Sequence, residues 1–156
     1  MIVCGIDPGL DGALAFYDTS DNACIVHDMP TLRMSKREVD PHALASLLWK
    51  SHAGHAYIEA VHAMPKQGSV SMFQFGKGFG IVIGVLAGVG IPMTFITPQS
   101  WKKLLAVPRA KDGAKARASQ LLPQAAHQWP RVKDEGRAEA ALIALAAVQS
   151  LHRIAA

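Results

Sequence analysis

The chain has 156 residues, half of them apolar and 18% charged, which excludes a disordered or low-complexity protein and suits a single domain over 1–156 with a real core. A formal net charge of +4 favours a polyanionic partner without identifying one. Cys4 and Cys24 fall on predicted strands with no metal-ligand spacing, and no signal-peptide pattern opens the chain, so the expectation is free thiols and a cytoplasmic protein.

Three short apolar runs, at about 2–7, 12–18 and 23–29, are separated by turns rich in Gly and Asp and predict an antiparallel meander. The first delivers Asp7 into Pro8-Gly9. That carboxylate either opens a hairpin turn or stands on a rigid strand tip with its oxygens free for a metal or a phosphate-bound ion. Pro41, capped by Asp40, starts a helix whose Leu44, Leu47 and Leu48 fall three and four apart, and Gly54 is its expected end. Residues 56–60 read as a short strand carrying Glu59. A loop with Pro65 and Gly68 follows, then a long helix over about 69–89. From Phe79 to Ile96 the text is almost wholly apolar, but Pro92 cuts it and leaves about thirteen apolar residues, fewer than the ~20 a membrane span needs. Gly80, Gly84 and Gly88 give this helix a bare face for close packing, within one subunit or against a second. A strand at 93–97 precedes a helix started by Pro98 and holding Trp101, Lys102, Lys103 and Leu104. Two more helices are expected at about 112–122 and 135–153. This order predicts a layered α/β protein, a mixed five-stranded sheet with its first three strands antiparallel and helices on both faces.

Acids are scarce, which makes their positions informative. Glu59 sits among Tyr57, Ile58 and Val61, and an acid inside a buried strand is costly unless paired or bound to a metal. Asp134, Glu135 and Glu139 cluster at the start of the last helix, where Glu135 and Glu139 share a face. Acids in a first helical turn also simply complement the helix dipole. If the strands bearing Asp7 and Glu59 are neighbours and the last helix leans over their ends, the carboxylates converge into a site for Mg²⁺ or Mn²⁺, as in a metal-dependent nuclease.

The Ile6-Asp7-Pro8-Gly9 opening, the run Glu59-Ala60-Val61-His62-Ala63-Met64-Pro65 with Ser71-Met72-Phe73-Gln74-Phe75-Gly76, the helix start Pro98-Gln99-Ser100-Trp101-Lys102-Lys103 and the closing Arg137-Ala138-Glu139-Ala140-Ala141-Leu142-Ile143-Ala144 together resemble a RuvC-type Holliday junction resolvase, most like phage and prophage forms. The resemblance runs nearly end to end and implies a ribonuclease H-like fold, a homodimer, and cutting of four-way DNA junctions by paired symmetric nicks. It implies two Mg²⁺ or Mn²⁺ ions held by Asp7, Glu59 and Glu139, and products with a 5′ phosphate and a 3′ hydroxyl. The fourth family acid lies three residues before Glu139, where this chain has Gly136. Asp134 or Glu135 must substitute, and helix geometry favours Glu135.

The basic residues Lys102, Lys103, Arg109, Lys111, Lys115 and Arg117 crowd into one stretch and either line the route of a DNA arm or form two solvated helix faces. Lys66, Gln67, Gly68 and Ser69 are of types that approach a DNA backbone. Cellular members carry a junction-wedging aromatic three residues after the strand Glu. Here that position is His62, so either His62 stacks on a base or Phe73 takes the role, Phe73 being equally readable as core. The rival readings are a ribonuclease H-like nuclease of another branched DNA or structured RNA, and an inactive junction-binding protein. An actin-like kinase opens with a similar turn but needs two lobes, for which the chain is too short.

Overall fold

A computed structural model describes residues 1–33, 35–61 and 68–155, with side chains up to Leu151. Strands β1 (Ile2–Asp7), β2 (Ala13–Asp18) and β3 (Cys24–Asp28) form the expected antiparallel meander. A ribbon of β4 (Thr31–Arg33) and β5 (Arg37–Val39) follows, where sequence reading found no element. Each of its strands has 3 residues, too few for an alternating pattern to register. Helix α1 (Pro41–Ser51) is capped by Asp40, whose carboxylate accepts from the amides of His42 and Ala43, each at 3.0 Å. It stops short of the expected Gly54, because His52 adopts a left-handed φ of 53°. Next come β6 (His55–Glu59), α2 (Ser69–Val89), β7 (Met93–Ile96), α3 (Pro98–Leu104), α4 (Gly113–Leu121) and α5 (Glu135–Ala155), with 3₁₀ turns at Pro123–Gln128 and Val132–Asp134.

The sheet runs β3-β2-β1-β6-β7, with β6 and β7 parallel to β1. Because side chains alternate along a strand, each strand feeds two cores. Cys4, Ile6, Leu14, Phe16, Ala56 and Ile58 pack against α1 and α2, whereas Val3, Ala13, Ala15, Tyr17 and Tyr57 pack toward α3, α4 and α5. Cys4 and Cys24 are buried free thiols, as expected.

Helix α5 approaches β1 more closely than ordinary helix-on-sheet packing allows. Any Cβ on Gly5 would penetrate the backbone of α5 at the Ala140 carbonyl and the Ala144 amide. The helix can lie that low because Ala138, Ala140, Ala141, Ala144, Ala146 and Ala147 keep its buried surface small. At the outer edge of β3, the Gln128 side chain accepts from the Val26 amide and donates to the Cys24 carbonyl, both at 2.8 Å, and so blocks that edge against further pairing.

Helix α2 is attached to the sheet through Val82 and Leu86, while Gly80, Gly84 and Gly88 open onto space, with no atom within 4 Å of where a Cβ would stand. Its 21 residues are enough by length and composition to cross a membrane, so the count taken from Phe79 understated it. Packing of Val82 and Leu86 among Leu44, Leu48 and Ile58 ties it to the domain core instead.

Candidate active site

Strand parity decides where the acids go. Asp7 follows Gly5 by two residues and Glu59 follows Tyr57 by two, so both emerge on the α5 side of the sheet. Strands β1 and β6 pair in parallel as far as Ile6 and Ile58, which leaves Asp7 and Glu59 at the C-terminal ends of adjacent strands. Glu139, near the start of α5, completes the group. Burial first, then the Glu139 charge and to a smaller extent that of Glu59, push the Asp7 carboxyl up to about 7, against a weak 3.4 Å bond from the Gly9 amide. Burial also raises Glu59, opposed by its bond to Trp101.

Helix α3 supplies the partners of these acids. The Thr97 hydroxyl caps it by accepting from the Ser100 amide at 3.2 Å, and this sets the direction of the next two side chains. Trp101, fully buried, donates from Nε1 to Glu59 Oε1 at 2.9 Å. Lys102 Nζ pairs with Glu139 Oε1 at 2.9 Å and stands 4.9 Å from the Trp101 ring centroid. Burial pulls the Lys102 ammonium down, but the bond to Glu139 and the charges of Glu139, Glu59 and Glu135 hold it above its ordinary value. Among the described residues, no three His, Cys, Asp or Glu side chains are gathered tightly enough to share a metal ion as they stand. The donor chemistry still fits a hard divalent cation, since the acids that meet here offer carboxylate oxygens, and their crowding is what a cation relieves.

The two alternatives for a fourth acid separate cleanly. Asp134 has a side chain only 3% exposed and accepts from the Arg131 backbone amide at 2.8 Å and from its guanidinium Nη2 at 2.8 Å. These bonds hold its carboxyl below the usual range. The Asp134 oxygens close the 3₁₀ turn ahead of α5, in a hollow shared with Asp11 and Asp28. Glu135 opens onto the same cleft as Glu139. At Gly136 a Cβ would come within 2.7 Å of the Asp11 carbonyl and 2.8 Å of Asp7 Oδ2, so the family position for an acid has no room for a side chain here. Gly136→Ala is expected to cost about 1–3 kcal/mol by displacing that loop. Thermal unfolding measures the loss, and Gly136→Asp should fare no better and add no ligand.

Lys102, Lys103 and Arg109 join Glu135 and Glu139 in lining an open cleft of about 710 Å³, and Lys111 is exposed nearby in sequence. Lys115 and Arg117 depart from the expected single basic route. Lys115 Nζ donates to the Arg131 carbonyl, and Arg117 donates to the Leu105 carbonyl at 2.6 Å and to Gln120 Oε1 at 3.1 Å. Both brace α4 against its neighbours. Ser69 is exposed at the start of α2, and Phe73 is 70% exposed, which removes its reading as core. His62, Lys66 and Gln67 lie outside the described residues. Sequence reading missed the Trp101 bond to Glu59, for which the only sign was a tryptophan beside Lys102. It also missed Arg37, whose guanidinium grips the Asp11 carboxylate and the Leu10 carbonyl and so ties the ribbon to the turn after Asp7.

No protein-family model and no curated protein matches the sequence. Among solved structures, the chain is similar to Thermus thermophilus RuvC, at 19% identity and a TM-score of 0.68 over 98% of this chain and 96% of that one. It is likewise similar to T. thermophilus RuvC in complex with a Holliday junction substrate, at 18% identity and a TM-score of 0.70 over 98% and 96%. The yeast mitochondrial Holliday junction resolvase Ydc2 matches at 17% identity and a TM-score of 0.54 over 92% and 76%. With the β3-β2-β1-β6-β7 sheet and α5 lying across β1, the chain has the ribonuclease H-like fold of the RuvC-type Holliday junction resolvases.

Proposed function

We propose that this protein is a divalent-metal-dependent endonuclease that resolves four-way DNA junctions as a homodimer. The observation that carries the reading is the meeting of Asp7, Glu59 and Glu139, from three separate elements, beside a cleft lined by Lys102, Lys103 and Arg109. A neighbour of the same fold holds a Holliday junction substrate, which supports that substrate class. Free Cys4 and Cys24 accord with work in the reducing cytoplasm.

Asp7, Glu59 and Glu139, with Glu135 as the fourth acid, would hold Mg²⁺ or Mn²⁺. Two bound ions would supply an activated water for in-line attack on a phosphodiester and stabilisation of the departing 3′ oxygen, leaving a 5′ phosphate and a 3′ hydroxyl. Lys102, paired with Glu139 at 2.9 Å, would have to be released for Glu139 to hold such an ion, and its ammonium would then be available to a phosphate. Lys103 and Arg109 hold the backbone of a DNA arm without reading its bases. Phe73 is the junction wedge in this reading, and Ser69 contacts the backbone beside it, together with His62, Lys66 and Gln67 on sequence grounds.

The open glycine face of α2 accommodates a second copy, and a two-fold dimer suits the two symmetric strands of a junction. Gly84→Leu should shift the protein to monomer in sedimentation equilibrium and uncouple the two nicks. The deciding test is a synthetic four-way junction beside a matching linear duplex, each with Mg²⁺, Mn²⁺ or EDTA. Paired symmetric nicks confined to the junction and dependent on metal are expected. A second reading, a junction-binding protein that does not cut, is favoured by Gly136 and by the Lys102–Glu139 pair, and tight binding without nicks in either metal would select it. Equal cutting of duplex or structured RNA would select a nuclease of another substrate class.

A further inference from the structure

We propose that Trp101 is the positioning residue for Glu59, holding that carboxylate in the orientation from which it receives the metal. This rests on the metal-nuclease reading and adds a residue to it.

Trp101 is completely buried, and its only polar atom, Nε1, is spent on Glu59 Oε1 at 2.9 Å. A buried indole N–H must find an acceptor, and here the acceptor is an acid at the open end of a strand rather than a backbone carbonyl. One oxygen of Glu59 is thereby engaged, and among the described residues no hydrogen bond is made to the second. Glu59 is the last residue of β6; its backbone is held by β7, the Ala60 amide donating to the Ile96 carbonyl at 2.8 Å, and the indole restrains its side chain. The ring itself is fully enclosed. It sits in the core with Leu105, Ala138 and Leu142, on a helix whose first turn is fixed by Pro98 and the Thr97 cap. Lys102 lies over the same ring while it binds Glu139, so one rigid aromatic plate backs two of the converging acids. Outer partners of this kind typically contribute 10–100-fold to metal affinity.

The test compares wild type with two variants in the full-length protein without DNA. Trp101→Phe keeps an apolar ring, and 3-benzothienylalanine at position 101 keeps the bicyclic shape while deleting only the N–H. Mn²⁺ affinity, read by electron paramagnetic resonance of the free ion, is expected to fall about tenfold in both. Junction affinity in EDTA should stay within twofold, and nicking should recover when Mn²⁺ is raised about tenfold. Mn²⁺ affinity unchanged in the benzothienylalanine protein would overturn the role and leave the nuclease reading standing. Wild type that takes up no Mn²⁺ would overturn both. Reduced nicking that extra Mn²⁺ does not restore, at unchanged Mn²⁺ affinity, would make Trp101 a packing residue only.

Discussion

Asp7→Asn should abolish metal-dependent nicking, by at least about three orders of magnitude, while making the metal-free protein harder to unfold at pH 8. The first effect follows from the proposed site, in which Asp7 is the acid coupled to the charges of both Glu139 and Glu59. The second follows from linkage. The Asp7 carboxyl is raised from 3.8 to about 7, so between those values the folded chain keeps a proton that the unfolded chain has lost. Stability therefore falls as pH rises through that window and levels off above about 7, with an upper bound of about 4 kcal/mol at 1.36 kcal/mol per unit. Asparagine carries no charge to bury and escapes the penalty. At about 2–4 °C per kcal/mol, the variant should melt several degrees above wild type at pH 8 in EDTA, with the gap closing by pH 4. Asp28 and Asp134 act in the opposite window. Arg137 and Arg131 lower their carboxyls, so the stability they add is present above the ordinary carboxylate value and is lost as pH falls through the lowered ones. The metal-free protein should thus be most stable at about pH 4–5, and saturating Mg²⁺ should move that optimum toward neutrality in wild type but not in Asp7→Asn. An Asp7→Asn protein that melts at or below wild type in EDTA at pH 8 would refute the argument.

Gly5→Ala should be among the most damaging single methyl groups that the described residues could take. The added carbon meets backbone atoms of α5 at Ala140 and Ala144, and backbone cannot turn aside as the end of a side chain can. Helix α5 must lift from β1, which opens the alanine-packed core and carries Glu139 away from Asp7. The expected loss is about 3 kcal/mol or more, at or beyond the upper end of ordinary overpacking. Chemical denaturation measures it, and nicking should fall with it even where folding survives. Gly80→Ala is the matched control. It lies in open space on α2, and alanine is the better helix former by about 1 kcal/mol, so it should stabilise the monomer. A Gly5→Ala protein as stable as wild type would mean that α5 does not lie where it is described.

Much of the arrangement is legible in the sequence because it follows from period alone. Alternation along β1 and β6 sends Asp7 and Glu59 to the same side of the sheet, and the four-residue step from Glu135 to Glu139 puts both on one cleft. What could not be read depends on partners distant in the chain. Asp134 and Glu135 are adjacent acids in the sequence, and nothing in it shows that Arg131 grips Asp134 on a 3₁₀ turn while Glu135 lines the cleft with Glu139. Lys115 and Arg117 have the composition of a DNA-facing helix, yet carbonyls at Arg131 and Leu105 hold them. The ribbon of β4 and β5 is too short to announce itself, although its Arg37 steadies the turn that follows the first acid.

The seating of α5 on β1 also sets the order in which the converging acids can be brought together. The strand that carries Asp7 precedes the helix that carries Glu139 by most of the fold, so it leaves the ribosome well before it. A nascent or prematurely terminated chain holds at most two of the converging acids, with Gly5 bare and no helix to cover it, and such non-local closure is slow compared with the pairing of β1 with β2. The carboxylate cluster is therefore incomplete until α5 has been made, and it is assembled in one late step, when that helix docks onto β1.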